Sequence, residues 1–182
     1  MLRNKSILKE QLNRFTKTEL VDILAKISAK RFNYDFLLVN YLDTEDGEQT
    51  LFEEAKESID LLTHKEFKGR TVQHQMVKRL KACTNRIKDF TEETKDRKLE
   101  ADLILYVLEI QFRENPDIFG AKYSGYDYKV GLLLKRLISI VTTKLHADYL
   151  VDYQQNLNSM LSLLHKTSNR INTIKSLPER ME

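Results

Sequence analysis

The sequence predicts an all-α fold, and three observations carry this prediction. The 182-residue chain contains only five glycines and two prolines, the residues that most often break helices or form tight turns. No segment alternates apolar and polar residues with the period of two that marks a half-buried strand. Apolar residues recur instead at spacings of three and four, as in an amphipathic helix. We therefore expect a single domain over residues 1–182, a bundle of about seven or eight helices packed as antiparallel hairpins, or alternatively a short superhelical stack.

Two helices are predicted at the start of the chain. The segment SILKEQLNRF (6–15) places its apolar residues on one helical face. Thr16 and Glu19 then have the pattern of a capping box, in which the two side chains satisfy free backbone amides at a helix start. Residues 32–42 either continue this second helix or form a separate short one. The segment DTEDG (43–47) is a turn by composition.

The middle of the chain contains two further helices. The first ends before a loop at 63–70, in which Gly69 is the expected breaker. The second begins at Thr71 and is followed by a polar joint at 91–98. Its apolar residues are spaced 4, 4, 3, 4 and 3 positions apart, which is close to the period of a helix. They are Val72, Met76, Leu80, Cys83, Ile87 and Phe90.

Three helices are predicted in the rest of the chain. Residues 98–114 form a helix that is apolar almost all round, so it should lie at the centre of the bundle. Asn115 and Pro116 end it, because proline cannot continue a helix from the preceding residues. After an aromatic loop, the next helix runs to about His146. The last helix spans about 148–175, and its apolar spacing fits either covering the core or forming a dimer.

Composition indicates a cytoplasmic protein. Hydrophobic residues make up 41% of the chain and charged residues 31%, which is typical of a soluble globular protein. The single cysteine, Cys83, excludes an intramolecular disulfide and a cysteine-rich zinc site. The N-terminus lacks the apolar region of a signal peptide. No apolar run approaches the roughly 20 residues of a membrane span, so no membrane association is expected.

Charge is unevenly distributed along the chain. Residues 43–60 contain eight acids and one lysine, whereas residues 65–88 contain eight bases and one glutamate. A basic segment of this kind can contact the phosphates of a nucleic acid. The alternative, which the adjacent acidic segment favours, is that the two segments form a hairpin and neutralise each other. The candidate phosphate contacts are Lys78, Lys81, Arg86 and Lys88.

Asp102 and Glu109 stand out in the apolar helix 98–114. They lie on one strip of the helix, so both should be at least half buried and should need partners. As a functional pair they would bind a metal ion or act as acid and base. Their spacing of about two turns, roughly 10 Å, argues against both acting on one ion. The structural alternative is a salt-bridge ladder in which Glu109 pairs with Arg113, four residues later.

Three stretches resemble a known family. ADLILYVLE (101–109), LKEQLNRFTKTELVDIL (8–24) and the dipeptide FG (119–120) before a long helix are similar to a family of uncharacterised bacterial helical proteins, a domain of unknown function. The resemblance implies an all-helical bacterial protein, with Asp102 and Glu109 at the family's acidic positions. It brings no activity. YSGYDYKVG (123–131) departs from the family's polar, aromatic helix start.

The segment between the helix 98–114 and the next helix is rich in aromatic residues. Tyr123, Tyr126 and Tyr128, with Phe119, can line a pocket mouth or a partner surface. The alternative, and the more common outcome, is that such side chains fold onto the core.

These observations favour a non-catalytic function. Glycine-rich phosphate loops, Cys-x-x-Cys, His-Glu-x-x-His and Gly-x-Ser-x-Gly are all absent from the sequence, so no cofactor is predicted and an enzyme of a common class is disfavoured. We predict a helical protein–protein interaction or adaptor module with a protein partner. The alternatives are a nucleic-acid-binding protein that uses residues 65–88 and a metal-dependent enzyme that uses Asp102 and Glu109. The sequence does not specify the oligomeric state.

Overall fold

The all-α class is confirmed by a computed structural model, which describes residues 5–29, 31–37, 39, 41, 45–68, 71–121 and 125–182. These residues form nine α-helices and two short 3₁₀ helices, with no β-strand among them. The number of α-helices exceeds the predicted seven or eight. Contacts divide the chain into two compact units, residues 1–49 and 50–182, and the organisation as a single domain stays a prediction.

The first unit contains helices α1 (Lys5–Leu12), α2 (Lys17–Ser28) and α3 (Arg31–Leu37). The capping box at the start of α2 is confirmed, since the Thr16 hydroxyl accepts from the Glu19 amide at 3.3 Å and the Glu19 carboxylate accepts from the Thr16 amide at 2.8 Å. Helix α3 contacts α2, so residues 31–37 form a separate short helix. None of the residues of α2 is buried.

The second unit is built from longer helices. Helix α4 (Glu45–His64) begins in the first unit, and its residues from position 50 onward belong to the second unit. The remaining helices are α5 (Val72–Thr94), α6 (Arg97–Glu114), α7 (Gly125–Thr143), α8 (Leu150–Ser168) and α9 (Asn172–Lys175).

The predicted turn at 43–47 is wrong for its described part. Residues 45–47 already belong to α4, and Gly47 is buried. Residues 43 and 44, like the expected breaker Gly69, lie outside the described residues.

The polar joint predicted at 91–98 is much shorter in the structure. Helix α5 continues to Thr94, and α6 begins at Arg97. Lys95 has a left-handed backbone with φ of 62°, which ends α5. The Asp96 side chain then accepts from the Leu99 amide at 2.8 Å and caps α6. Two residues are therefore enough to reverse the chain.

The last predicted helix is divided into α8 and α9. The break falls after Ser168, and Ile174 in α9 is buried. Of the two alternatives for this helix, covering the core is the one observed, because the apolar residues of α8 are buried within the chain. They are Tyr153, Leu157, Met160, Leu161 and Leu164.

Helix α6 packs against several neighbours, as predicted, and it shares the centre of the second unit with α7, which contacts α5, α6, α8 and α9. Helix α6 itself contacts α5, α7 and α8, and its residues Leu103, Ile104 and Val107 are fully buried. Helices α6 and α7 run antiparallel, since a residue near the end of α6, Gln111, contacts Tyr126 at the start of α7. The predicted packing as antiparallel hairpins therefore holds for this pair.

Helix α5 packs beside α7 and places a candidate site between them. The predicted apolar stripe of α5 is buried from Met76 to Phe90, whereas Val72 is 63% exposed. The first turns of α5 consequently leave apolar surface accessible. Within the described residues, no helix combines the length and the apolar character that crossing a bilayer requires.

Candidate functional site

Asp102 and Glu109 both have structural partners in the neighbouring helix α8. The Tyr153 hydroxyl donates to Asp102 at 2.6 Å, and Lys98 donates to the same carboxylate at 2.8 Å. The Asn156 side-chain amide donates to Glu109 at 2.8 Å. These contacts tie α6 to α8.

The predicted ion pair between Glu109 and Arg113 is wrong. Arg113 lies 3.5 Å from Glu114 instead, and no ion pair joins it to Glu109 within the described residues. The i, i+4 spacing allowed the pair, but Asn156 on the facing helix occupies the carboxylate of Glu109. The spacing of residues along one helix cannot predict a partner that comes from another helix.

A metal site at these acids is not visible in the described part of the chain, where no group of three or more His, Cys, Asp or Glu side chains is arranged to hold an ion. Glu109 lines a cavity of about 370 Å³ between α6 and α8, together with Arg113 and Asn156. The two charged side chains in that lining have opposite signs. The proposal of metal chemistry at Asp102 and Glu109 stays a prediction.

The most deeply buried acid of α6 is Glu100, which the sequence analysis did not select. Its side chain is 2% exposed. Arg136 of α7 donates to one carboxylate oxygen at 2.6 Å and 3.0 Å, and Arg97 donates to the other at 2.5 Å. The only sign of this ion pair in the sequence was Arg97, three residues before Glu100. Arg136 lies far along the chain and could not be paired with Glu100 without knowing how α6 and α7 pack.

Replacing Glu100 by glutamine is expected to lower the free energy of unfolding by about 2–3 kcal/mol, because two guanidinium groups lose their shared carboxylate. The cost stays below that of a fully buried pair, since Arg97 and Arg136 are 50% and 34% exposed. The control is Glu92→Gln, which removes the exposed pair with Lys88 and should cost at most about 0.5 kcal/mol. Urea unfolding followed by circular dichroism measures both, and equal stability of the two variants would contradict this account.

Tyr106 and Asp60 form a second contact between helices. The Tyr106 hydroxyl donates to the Asp60 carboxylate at 2.5 Å and joins α6 to α4. Burial, followed by this hydrogen bond to an anion, raises the pKa of Tyr106 to about 12. Burial and the hydrogen bond to Asp102 likewise raise the pKa of Tyr153. Burial also raises the pKa of the Cys83 thiol to about 12, so this cysteine is a poor nucleophile at neutral pH.

The raised pKa of Tyr106 predicts a stability loss in alkali. In the unfolded chain this phenol ionises near pH 10, whereas in the folded chain it ionises near pH 12. Its contribution to stability is therefore fully present below pH ~10 and is lost as pH rises towards ~12. We expect the difference in urea midpoint between the wild type and Tyr106→Phe to shrink over that interval. A difference that stays constant with pH would show that the phenol does not titrate in this way.

The three tyrosines singled out in the sequence have different positions. Tyr126 is fully buried, with its hydroxyl 3.0 Å from the Gln111 side-chain oxygen and its ring 5.5 Å from that of Phe119. Tyr128 is 42% exposed, and Tyr123 lies outside the described residues. Tyr126 therefore folds onto the core, whereas Tyr128 lies at the surface, where it can contact a ligand or a partner.

The four basic candidates within residues 65–88 also have different surroundings. Arg86 lies 3.9 Å from Glu93 and Lys88 lies 3.5 Å from Glu92, both within α5. Lys78 donates to the backbone carbonyl of Lys68. Lys81 differs from these, because it lines a cavity. Neutralisation of the basic segment by the acidic segment 43–60 stays a prediction.

The candidate site is a groove between α5 and α7, formed by two adjoining cavities that share Val77 and Lys129. One has a volume of about 460 Å³ and the other about 400 Å³. We call this surface the α5/α7 groove. It is lined by Gln73, His74, Val77, Leu80, Lys81, Thr84 and Asn85 of α5 and by Gly125, Tyr126, Tyr128, Lys129, Leu132, Leu133 and Arg136 of α7.

The groove combines apolar side chains with positive charge. Leu132 is 38% exposed and Tyr128 is 42% exposed. Lys81 on α5 and Lys129 on α7 are both exposed, and no acidic side chain belongs to the lining described above. The arrangement suits a partner that offers apolar and negatively charged groups together.

Sequence reasoning selected lining residues from both walls of this groove but did not connect them. Lys81 and Tyr128 were selected as candidates, but Lys129, Leu132 and Arg136 were not. The predicted helix that runs to about His146 contains all three residues, yet nothing in the sequence indicated that this side of α7 would lie next to α5.

A second concave surface is a weaker candidate for a binding site. A cavity of about 650 Å³ lies next to Leu61, which is 76% exposed, but its lining comes only from the end of α4 and the following residue, within 57–65. In the part of the chain that the structure describes, no second helix lines this cavity. The α5/α7 groove is formed by two helices and is the better candidate.

Comparison with known proteins identifies no relative. The chain matches no protein-family profile, and neither a curated protein nor a solved structure is significantly similar to it. The resemblance to a bacterial domain of unknown function accordingly stays a prediction.

Proposed function

We propose that this protein is a non-catalytic interaction module, an adaptor of the bacterial cytoplasm, and that it binds a partner protein in the α5/α7 groove. The observation that carries the proposal is exposed apolar surface between two packed helices, at Leu132 and Tyr128, flanked by Lys81 and Lys129. Binding energy at protein interfaces concentrates in such apolar and aromatic anchors, and surrounding charges select the partner.

The contacts of the other candidate residues support the same proposal. Asp102 and Glu109 accept hydrogen bonds from Tyr153 and Asn156, so the carboxylates serve helix packing. A nucleic-acid surface would use Arg86 and Lys88, which already pair with glutamates of their own helix. The apolar lining of the groove also fits a protein side chain better than a phosphate backbone.

Site-specific photo-crosslinking in the source cells tests the proposal. Leu132 in the groove is replaced by benzoylphenylalanine in one variant, and Val151 is replaced in the control. Val151 is 74% exposed on α8 and does not line the groove. We expect a discrete protein adduct from position 132 that is absent from position 151. No adduct at position 132, or the same adducts from both positions, would contradict a docking function of the groove.

A further inference from the structure

The charges around the α5/α7 groove favour a negatively charged occupant. Among the described residues, its lining contains Lys81, Lys129 and Arg136 and no acidic side chain. Arg136 is already bound to Glu100 at 2.6 Å, so Lys81 and Lys129 carry the positive charge that a partner would meet. One stands on α5 and the other on α7. A partner lying along the groove would therefore meet a lysine from each wall.

The apolar lining restricts the occupant further. Val77 and Leu80 from α5 and Leu132 and Leu133 from α7 form the apolar part of the groove. Covering them with a phosphodiester backbone would bury charged groups against hydrocarbon, which is unfavourable. The occupant should present apolar side chains to the lining and acidic side chains to the two lysines.

The dimensions favour a helix over a small molecule. From Gln73 to Asn85 the groove follows α5 for about 18 Å, which is the length of about three helical turns. Exposed residues line it along this length, including Tyr128, Leu132 and Asn85, so the groove is open to solvent. A site for a small ligand usually encloses most of the ligand surface, whereas a shallow groove between helices is the usual seat of an amphipathic helix.

We propose that the occupant of the α5/α7 groove is an acidic amphipathic helix of a partner protein, about three turns long. Its apolar residues, spaced i, i+4, i+7 and i+11, pack on Val77, Tyr128 and Leu132, and its flanking carboxylates pair with Lys81 and Lys129. This inference rests on the proposed function and adds the chemistry of the partner.

The probe for this proposal is a designed peptide of about 18 residues, labelled with fluorescein, with leucines at i, i+4, i+7 and i+11 and glutamates beside them. Two control peptides have the same leucines with lysines in place of glutamates, and the same composition in scrambled order. Fluorescence anisotropy at low salt measures binding to the full chain. We expect the glutamate peptide to bind at least about tenfold more tightly than either control, and its affinity to fall as salt is added.

Two protein variants with equal charge changes localise the interaction. Lys81→Glu with Lys129→Glu reverses the groove, whereas Lys135→Glu with Lys166→Glu changes exposed lysines outside its lining. Circular dichroism melting verifies that both fold. We expect the groove variant alone to weaken binding of the glutamate peptide, by at least about tenfold.

Three results would overturn this proposal: equal affinity for the glutamate and control peptides, equal effects of the two double variants, and displacement of the glutamate peptide by a short DNA duplex. If one of them occurs while the photo-crosslink at position 132 persists, the acidic helix is wrong and the docking function stands. If the crosslink is also absent, both proposals fail.

Discussion

Replacing Gly120 by alanine is expected to lower the free energy of unfolding by about 3–5 kcal/mol. Gly120 has a φ of 80°, in the left-handed region that side chains disfavour. An added Cβ would also stand 2.6 Å from the backbone carbonyl oxygen of Thr167. Backbone on both sides of this contact has to move to accept a methyl group.

The surroundings of Gly120 leave little freedom for that movement. The Gly120 amide donates to the buried carboxylate of Asp127 at 2.8 Å, and the Ser168 hydroxyl donates to the same carboxylate oxygen at 2.6 Å. Arg170 donates to the Gly120 carbonyl at 2.9 Å. A shift of Gly120 therefore strains the start of α7 and the end of α8 together.

Gly125→Ala is the matched control for this prediction. It lies at the first position of α7, has no positive φ, and an added Cβ would meet nothing within 4 Å. Alanine should leave stability unchanged or raise it by up to about 1 kcal/mol, because it restricts the unfolded chain. Urea unfolding of both variants measures the effects. A Gly120→Ala protein as stable as Gly125→Ala would show that residues 119–121 adapt freely.

Replacing Tyr126 by alanine is expected to cost about 3–5 kcal/mol, the usual range for removing a buried aromatic side chain. Tyr126 is fully buried, its ring packs at 5.5 Å from Phe119, and its hydroxyl donates to Gln111 at 3.0 Å. The substitution leaves a cavity and deprives the buried Gln111 side chain of its partner.

Tyr128→Ala is the control two residues away on the same helix. Tyr128 is 42% exposed, so its removal should change stability by no more than about 0.5 kcal/mol. Tyr126→Phe separates the hydrogen bond from the packing and should cost about 1 kcal/mol. These differences are measured by urea unfolding. Similar losses for Tyr126→Ala and Tyr128→Ala would contradict the assignment of Tyr126 to the core and Tyr128 to the surface.

Features set by local sequence were predicted well. The capping box at Thr16 and Glu19, the end of α6 before Pro116 and the buried stripe of α5 follow from residues within one or two turns of each other. These elements need no knowledge of the tertiary packing. The two-residue joint at Lys95 and Asp96 was missed, because composition alone does not show that a lysine adopts a left-handed backbone there.

Features set by the packing of distant helices were predicted poorly. Glu100 was passed over because its main partner, Arg136, lies 36 residues later. Glu109 was paired with Arg113 on its own helix, whereas its partner is Asn156, 47 residues later. The α5/α7 groove depends on which faces of two amphipathic helices meet, and apolar spacing defines those faces without saying which of them become neighbours.

The central claim is that the α5/α7 groove binds a protein, and affinity purification with two matched variants tests it most directly. Leu132→Glu places a charge in the groove, and Val151→Glu places the same charge on an exposed valine outside it. Both folded variants and the wild type are used to recover proteins from source cells after nuclease treatment, and mass spectrometry quantifies what is retained. We predict a partner that the wild type and Val151→Glu retain equally and that Leu132→Glu loses. Equal recovery with all three proteins would contradict the claim.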